Sequence, residues 1–116
     1  MIMRNRKGKQ NTPIATLIKW YTDKKSGKVS VSRQEIQWRF DCLDWKDQKK
    51  LLTAFLDSGM SDREWAYTKL LDYWDKSFEP KIQELWEKYH EYRCSWVVIR
   101  YLPLDYVTAH ADEFTD

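Results

Sequence analysis

The chain has 116 residues, with 20 Lys and Arg against 18 Asp and Glu and a net charge of +2. Three Gly and three Pro leave little room for a turn-rich all-β fold, and seven Trp, seven Tyr and four Phe supply the apolar surface for a core instead. No apolar run approaches the ~20 residues of a membrane span, the N-terminus lacks the apolar segment of a signal peptide, and two cysteines make no disulfide framework, so a cytoplasmic location is expected.

Residues 1–11 are basic and aperiodic and read as an arm. Thr12-Pro13 opens a first helix, with a capping hydroxyl followed by proline where a missing N–H costs nothing. Ile14, Leu17, Ile18 and Tyr21 form its apolar stripe, Ser26-Gly27-Lys28 ends it, and Val29-Ser30-Val31 is a short extended piece. Ser32 to Glu35 is a capping box for a second helix with Ile36, Phe40 and Leu43 inward. Asp44 caps a third, with Leu52, Phe55 and Leu56 inward and Gly59 as its stop.

A second capping box, Ser61 to Glu64, predicts a central helix over 61–75 with Tyr67, Leu70, Leu71 and Trp74 at i, i+3, i+4, i+7. Pro80 starts the next helix, whose stripe is Ile82, Leu85, Trp86 and Tyr89. Residues 94–102 are β-branched enough for a strand, but they have no evident partner strand and helical neighbours, so helix is expected. Pro103 ends it, a short helix runs from Asp105 to His110, and the acidic tail 111–116 frays. The domain expected is all-α, spans residues 12–110 and has about six helices.

Leu52, Phe55 and Leu56 fall on Ile82, Leu85 and Trp86 with an offset of 30, and Trp65, Lys69 and Leu71 on Trp96, Arg100 and Leu102 with an offset of 31. Trp38, Phe40 and Leu43 fall on Trp65, Tyr67 and Leu70 with an offset of 27. Three stacked antiparallel helix pairs of this kind resemble HEAT-like repeats, with a compact helical bundle as the competing architecture. Residues 12–59 also look like the start of a winged helix-turn-helix domain, in which the third helix enters the major groove. That resemblance implies a reading face of Lys46, Lys50 and Thr53, with Lys49 at its edge. Where the wing's two strands should follow Gly59, another helix begins.

The modest net charge hides an asymmetry. Residues 1–33 carry nine cations against one acid, a net +8, whereas residues 51–116 carry seven against thirteen, a net −6. One end is therefore a field for anions. The cationic contacts expected are Arg4, Arg6, Lys7 and Lys9 on the arm, Lys24, Lys25, Lys28 and Arg33 beside it, and Lys46, Lys49 and Lys50 on the third helix. Aromatics among cations suit single-stranded nucleic acid. Trp38 and Trp45 adjoin apolar stripes and suit the seams between helices, whereas Trp20 lies off its stripe and is the better exposed contact.

No nucleophile elbow, Walker loop, glycine fingerprint or zincin helix is present, and no enzyme or cofactor is expected. His90 and Cys94 share a helical spacing, but a tetrahedral metal site needs more ligands; a surface His90 near a helix end and a buried Cys94 are the simpler reading. Glu79, Glu84, Glu87 and Glu91 read as a solvated face. Two partners follow: nucleic acid or another anion held by the basic third, or an acidic protein partner received in a groove of stacked pairs.

Overall fold

The computed structural model describes residues 13–22 and 33–114. The predicted basic arm, the Thr12 cap, the linker with Val29–Val31 and the Ser32 end of the first capping box lie outside them. The described residues are all-α, with no strand among them. Among the described residues seven α-helices follow one another: α1 Ile14–Thr22, α2 Arg33–Cys42, α3 Trp45–Leu56, α4 Met60–Leu70, α5 Glu79–Tyr89, α6 Tyr92–Tyr101 and α7 Leu104–Ala109. A 3-10 turn, Lys76–Phe78, precedes α5, and another, Ala111–Phe114, follows α7. The chain divides into two compact units, Met1–Ser58 and Gly59–Asp116.

In the first unit α3 packs against both α1 and α2. Asp44 is its N-cap, as its residue type predicts, and its carboxylate accepts the Asp47 N–H at 2.9 Å. Leu51, Leu52, Phe55 and Leu56 are buried on one side of α3 and meet Leu17 and Tyr21 of α1 and Ile36 and Phe40 of α2 in one apolar core. The Tyr21 and Phe55 rings lie 6.4 Å apart. Buried Gln48 donates to the Phe40 carbonyl at 2.9 Å, a second bond to an acceptor that also takes the Leu43 N–H at 3.1 Å where α2 ends. Gly59 does not stop this helix. Asp57 is the C-cap, and Gly59 is the N-cap of α4.

In the second unit α6 packs against both α4 and α5. The predicted central helix is shorter and earlier than its pattern implies. It starts at Met60, so Ser61 is not its cap, and it ends at Leu70. The N–H groups of Asp72 and Tyr73 both close on the Lys69 carbonyl, and the chain leaves the helical path there. Trp74 therefore does not extend the α4 stripe. It stacks on Tyr101 of α6 at 4.5 Å with planes 2° apart and meets Phe78 at 5.8 Å. The Tyr101 hydroxyl donates to the Leu71 carbonyl, holding the same turn.

Pro80 lies in the first turn of α5, as predicted, and Ile82, Leu85 and Trp86 are buried; Tyr89, the last of the stripe, is exposed. Residues 94–102 are helical, apart from Leu102, which caps α6. Val97, Val98 and Cys94 fill its buried side. The contacts within each unit centre on one helix, α3 in the first and α6 in the second. Residues 111–114, expected to fray, form the second 3-10 turn, and Phe114 stacks on Trp86 at 4.8 Å.

Candidate anion-binding face and the polar clusters

Burial of one side of α3 dictates what its other side offers. With Leu51, Leu52, Phe55 and Leu56 inward, a 3.6-residue period leaves Lys46, Lys50 and Thr53 on the opposite face, and all three are exposed. Lys49 sits at the edge of that face, half-buried, with its ammonium 5.5 Å from the Trp45 ring centroid. Trp45 is a correction: it does not fill a seam but is 36% exposed, at the first turn of α3. Trp38 is half-buried. Arg33 is exposed at the start of α2. Of the remaining expected contacts, Arg4, Arg6, Lys7, Lys9, Lys24, Lys25 and Lys28 and the side chain of Trp20 lie outside the described residues. The structure thus brings Lys46, Lys49, Lys50 and Trp45 together on one helix.

A second arrangement escaped the sequence reading. In the second unit, Arg63 meets Glu91 through two bonds, Nε to Oε1 at 2.9 Å and Nη2 to Oε2 at 2.7 Å, with side-chain accessibilities of 10% and 13%. The Tyr67 hydroxyl adds a bond to Glu91 Oε1 at 2.8 Å, and the guanidinium lies 3.9 Å from the Tyr89 ring centroid. Glu91 is therefore no member of a solvated acidic face: it is the N-cap position of α6 and turns inward. Arg63 holds its carboxyl below the ordinary range, chiefly by hydrogen bonding, and Glu91 raises Arg63 in return. Burial is the main cause pushing the Tyr67 phenol upward and the neighbouring Cys94 thiol up to about 12. A thiol so placed stays protonated and is a poor nucleophile. Arg63 and Glu91 are 28 residues apart, so no local period could reveal the pair.

The third cluster gathers around Glu113. Its Oε1 accepts from the Trp86 indole at 2.6 Å and lies 3.2 Å from His90 Nε2, while Oε2 lies 2.6 Å from His110 Nδ1. These groups, His110 foremost, hold the Glu113 carboxyl below its ordinary range. Tyr106 stacks on His110 at 4.2 Å and donates to Glu87 at 2.9 Å. His90 is exposed at the C-cap of α5 and Cys94 is buried, as expected. His90 also has φ 53°, the left-handed turn that swings the chain from α5 into α6. Among the described residues, no group of three or more His, Cys, Asp and Glu side chains is disposed to hold a metal ion, and no helix is long and apolar enough to cross a membrane. Compared with protein-family models, with curated proteins and with solved structures, the chain gives no match.

Proposed function

We propose that this is a non-enzymatic helical binding protein that holds nucleic acid, or another anionic partner, through its basic N-terminal third. The observation that carries this reading is the exposed face of α3, where Lys46, Lys50 and Thr53 lie opposite a fully buried apolar side. A rigid helix presenting two lysines suits phosphate contacts, and Trp45 with Lys49 beside it offers a ring for base stacking. The three helices of the first unit, with the third carrying this face, suit the helix-turn-helix geometry that residues 12–59 resemble. The one acid within α3, Asp47, lies in its first turn, and Asp44 is committed to its cap. The net +8 of residues 1–33 adds the long-range field that steers a polyanion. Cys42 and Cys94 are not joined in a disulfide, which fits a reducing cytoplasm.

Fluorescence anisotropy with a labelled 20-nucleotide duplex and its single strand, titrated from 25 to 300 mM salt, tests the reading. Affinity should fall steeply, by about 0.9 in the log–log slope for each duplex phosphate neutralised. Lys46→Glu with Lys50→Glu should flatten that slope by about two such contacts. Removal of residues 1–11 should flatten it further. No binding at 25 mM salt, or binding indifferent to salt, refutes the proposal.

A further inference from the structure

The outward face of α6 carries side chains that neither the core nor the proposed anion-binding face uses. Tyr92, Trp96 and Ile99 recur at i, i+4, i+7 and are 75%, 39% and 54% exposed, and Leu104 just beyond Pro103 is 80% exposed. The same helix buries Cys94, Val97 and Val98 on its other side, so it is apolar on two faces. One face packs on α4 and α5; the other is an apolar stripe turned to water. Along one edge of that stripe run Arg93 and Arg100, both exposed and one heptad apart.

Charge sets this face apart. Residues 59–116 hold seven Lys and Arg against twelve Asp and Glu, yet residues 92–104 contain two arginines and no acid. The face is also pre-organised. Arg93 donates to Thr68 Oγ1 of α4 at 3.3 Å and lies 5.8 Å from the Trp96 centroid, and the Tyr92 and Trp96 rings meet edge to face at 5.3 Å. Holding these side chains in place lowers the ordering cost of docking.

We infer that this face of α6 docks an amphipathic helix of a partner protein, one whose own apolar stripe is flanked by acidic side chains. The i, i+4, i+7 spacing is that of helix-on-helix anchors, and the arginine edge fixes which flank of the partner carries the acids. A second copy of this chain fits poorly: a two-fold pairing of α6 with itself sets Arg93 near Arg100 of the other copy and leaves both stripes without a counter-charge. A single strand of nucleic acid fits poorly as well. Tyr92 and Trp96 are 72° from parallel, and aliphatic Ile99 and Leu104 offer no stacking face.

The test uses the full chain and two labelled 20-residue amphipathic peptides with leucines at i, i+4, i+7, one with glutamates along the flank and one with lysines there. The glutamate peptide should bind at least tenfold more tightly than the lysine peptide. Ile99→Gln should weaken it tenfold or more, and Arg93→Glu with Arg100→Glu should reverse the preference. These positions are exposed, so thermal melts should match the parent. Equal affinity for the two peptides, no binding of either, or indifference to Ile99→Gln overturns the inference. So does sedimentation showing a dimer that Ile99→Gln disperses, which assigns the face to a second copy, or oligonucleotide crosslinking to Trp96.

Discussion

Arg63→Met tests the buried Arg63–Glu91 pair of the second unit. In the native structure the Glu91 carboxylate has three donors: two from Arg63, at 2.9 and 2.7 Å, and the Tyr67 hydroxyl at 2.8 Å. Methionine keeps much of the arginine stem's volume but removes both charge-assisted bonds, leaving a carboxylate of 13% accessibility with one neutral donor. Removing one partner of a buried pair costs about 3–5 kcal/mol at neutral pH, a large share of a typical domain's total of about 5–15 kcal/mol. With urea m-values of about 1–3 kcal/mol/M, the midpoint should fall by at least about 1 M. The pH dependence has a definite sign. In the parent, Glu91 titrates below its ordinary value of 4.5, so the stability it contributes is present above that pH and is lost as pH falls through the depressed folded value. In the variant, burial without Arg63 raises the folded value above the unfolded one, so stability is greatest at low pH and falls as pH rises through the raised value. The gap between parent and variant should therefore be widest near pH 7 and should narrow towards pH 4. Urea titrations followed by circular dichroism at pH 7, 5.5 and 4 measure it. Adding Glu91→Leu should recover most of the loss, because an apolar pair of similar volume leaves no buried charge. A cost under about 1 kcal/mol at pH 7, or a cost independent of pH, refutes the reasoning from the buried pair.

Two further outcomes follow from backbone geometry. Asp44→Ala removes the side chain that caps α3 and should cost about 1 kcal/mol in thermal or urea melts, whereas Asp44→Ser should retain most of the cap. His90→Val places a β-branched residue in the left-handed turn between α5 and α6 and should cost at least about 1–2 kcal/mol, while His90→Gly should lie within about 1 kcal/mol of the parent, since glycine adopts φ 53° freely.

Several elements were legible in the sequence because their causes are local. The Asp44 cap, the proline at the start of α5 and the Leu52–Phe55–Leu56 stripe each depend on residues within about one or two turns, and each stands where the pattern places it. The candidate face was legible for the same reason: once the inward side of α3 is known, a 3.6-residue period puts Lys46, Lys50 and Thr53 outside. Trp45 was misread because proximity to an apolar stripe does not distinguish a seam from its rim. The Ser61 box and the stripe running on to Trp74 misplaced both ends of α4 because a helical spacing persists in sequence after the helix has stopped. Nothing in that stripe reports that Tyr101, 27 positions later, provides a ring for Trp74 to stack on.

The amino-acid order alone determined the helical class, the positions of most helices and the segregation of charge, since each comes from side chains acting on near neighbours or simply from counting. Only the tertiary structure decided where Glu91 points, what Trp74 and Phe114 rest on, and which face of α6 stays in water. The contacts of Glu91 with Arg63, Trp74 with Tyr101 and Phe114 with Trp86 join groups 27 or more residues apart, and a one-dimensional period carries no record of such meetings.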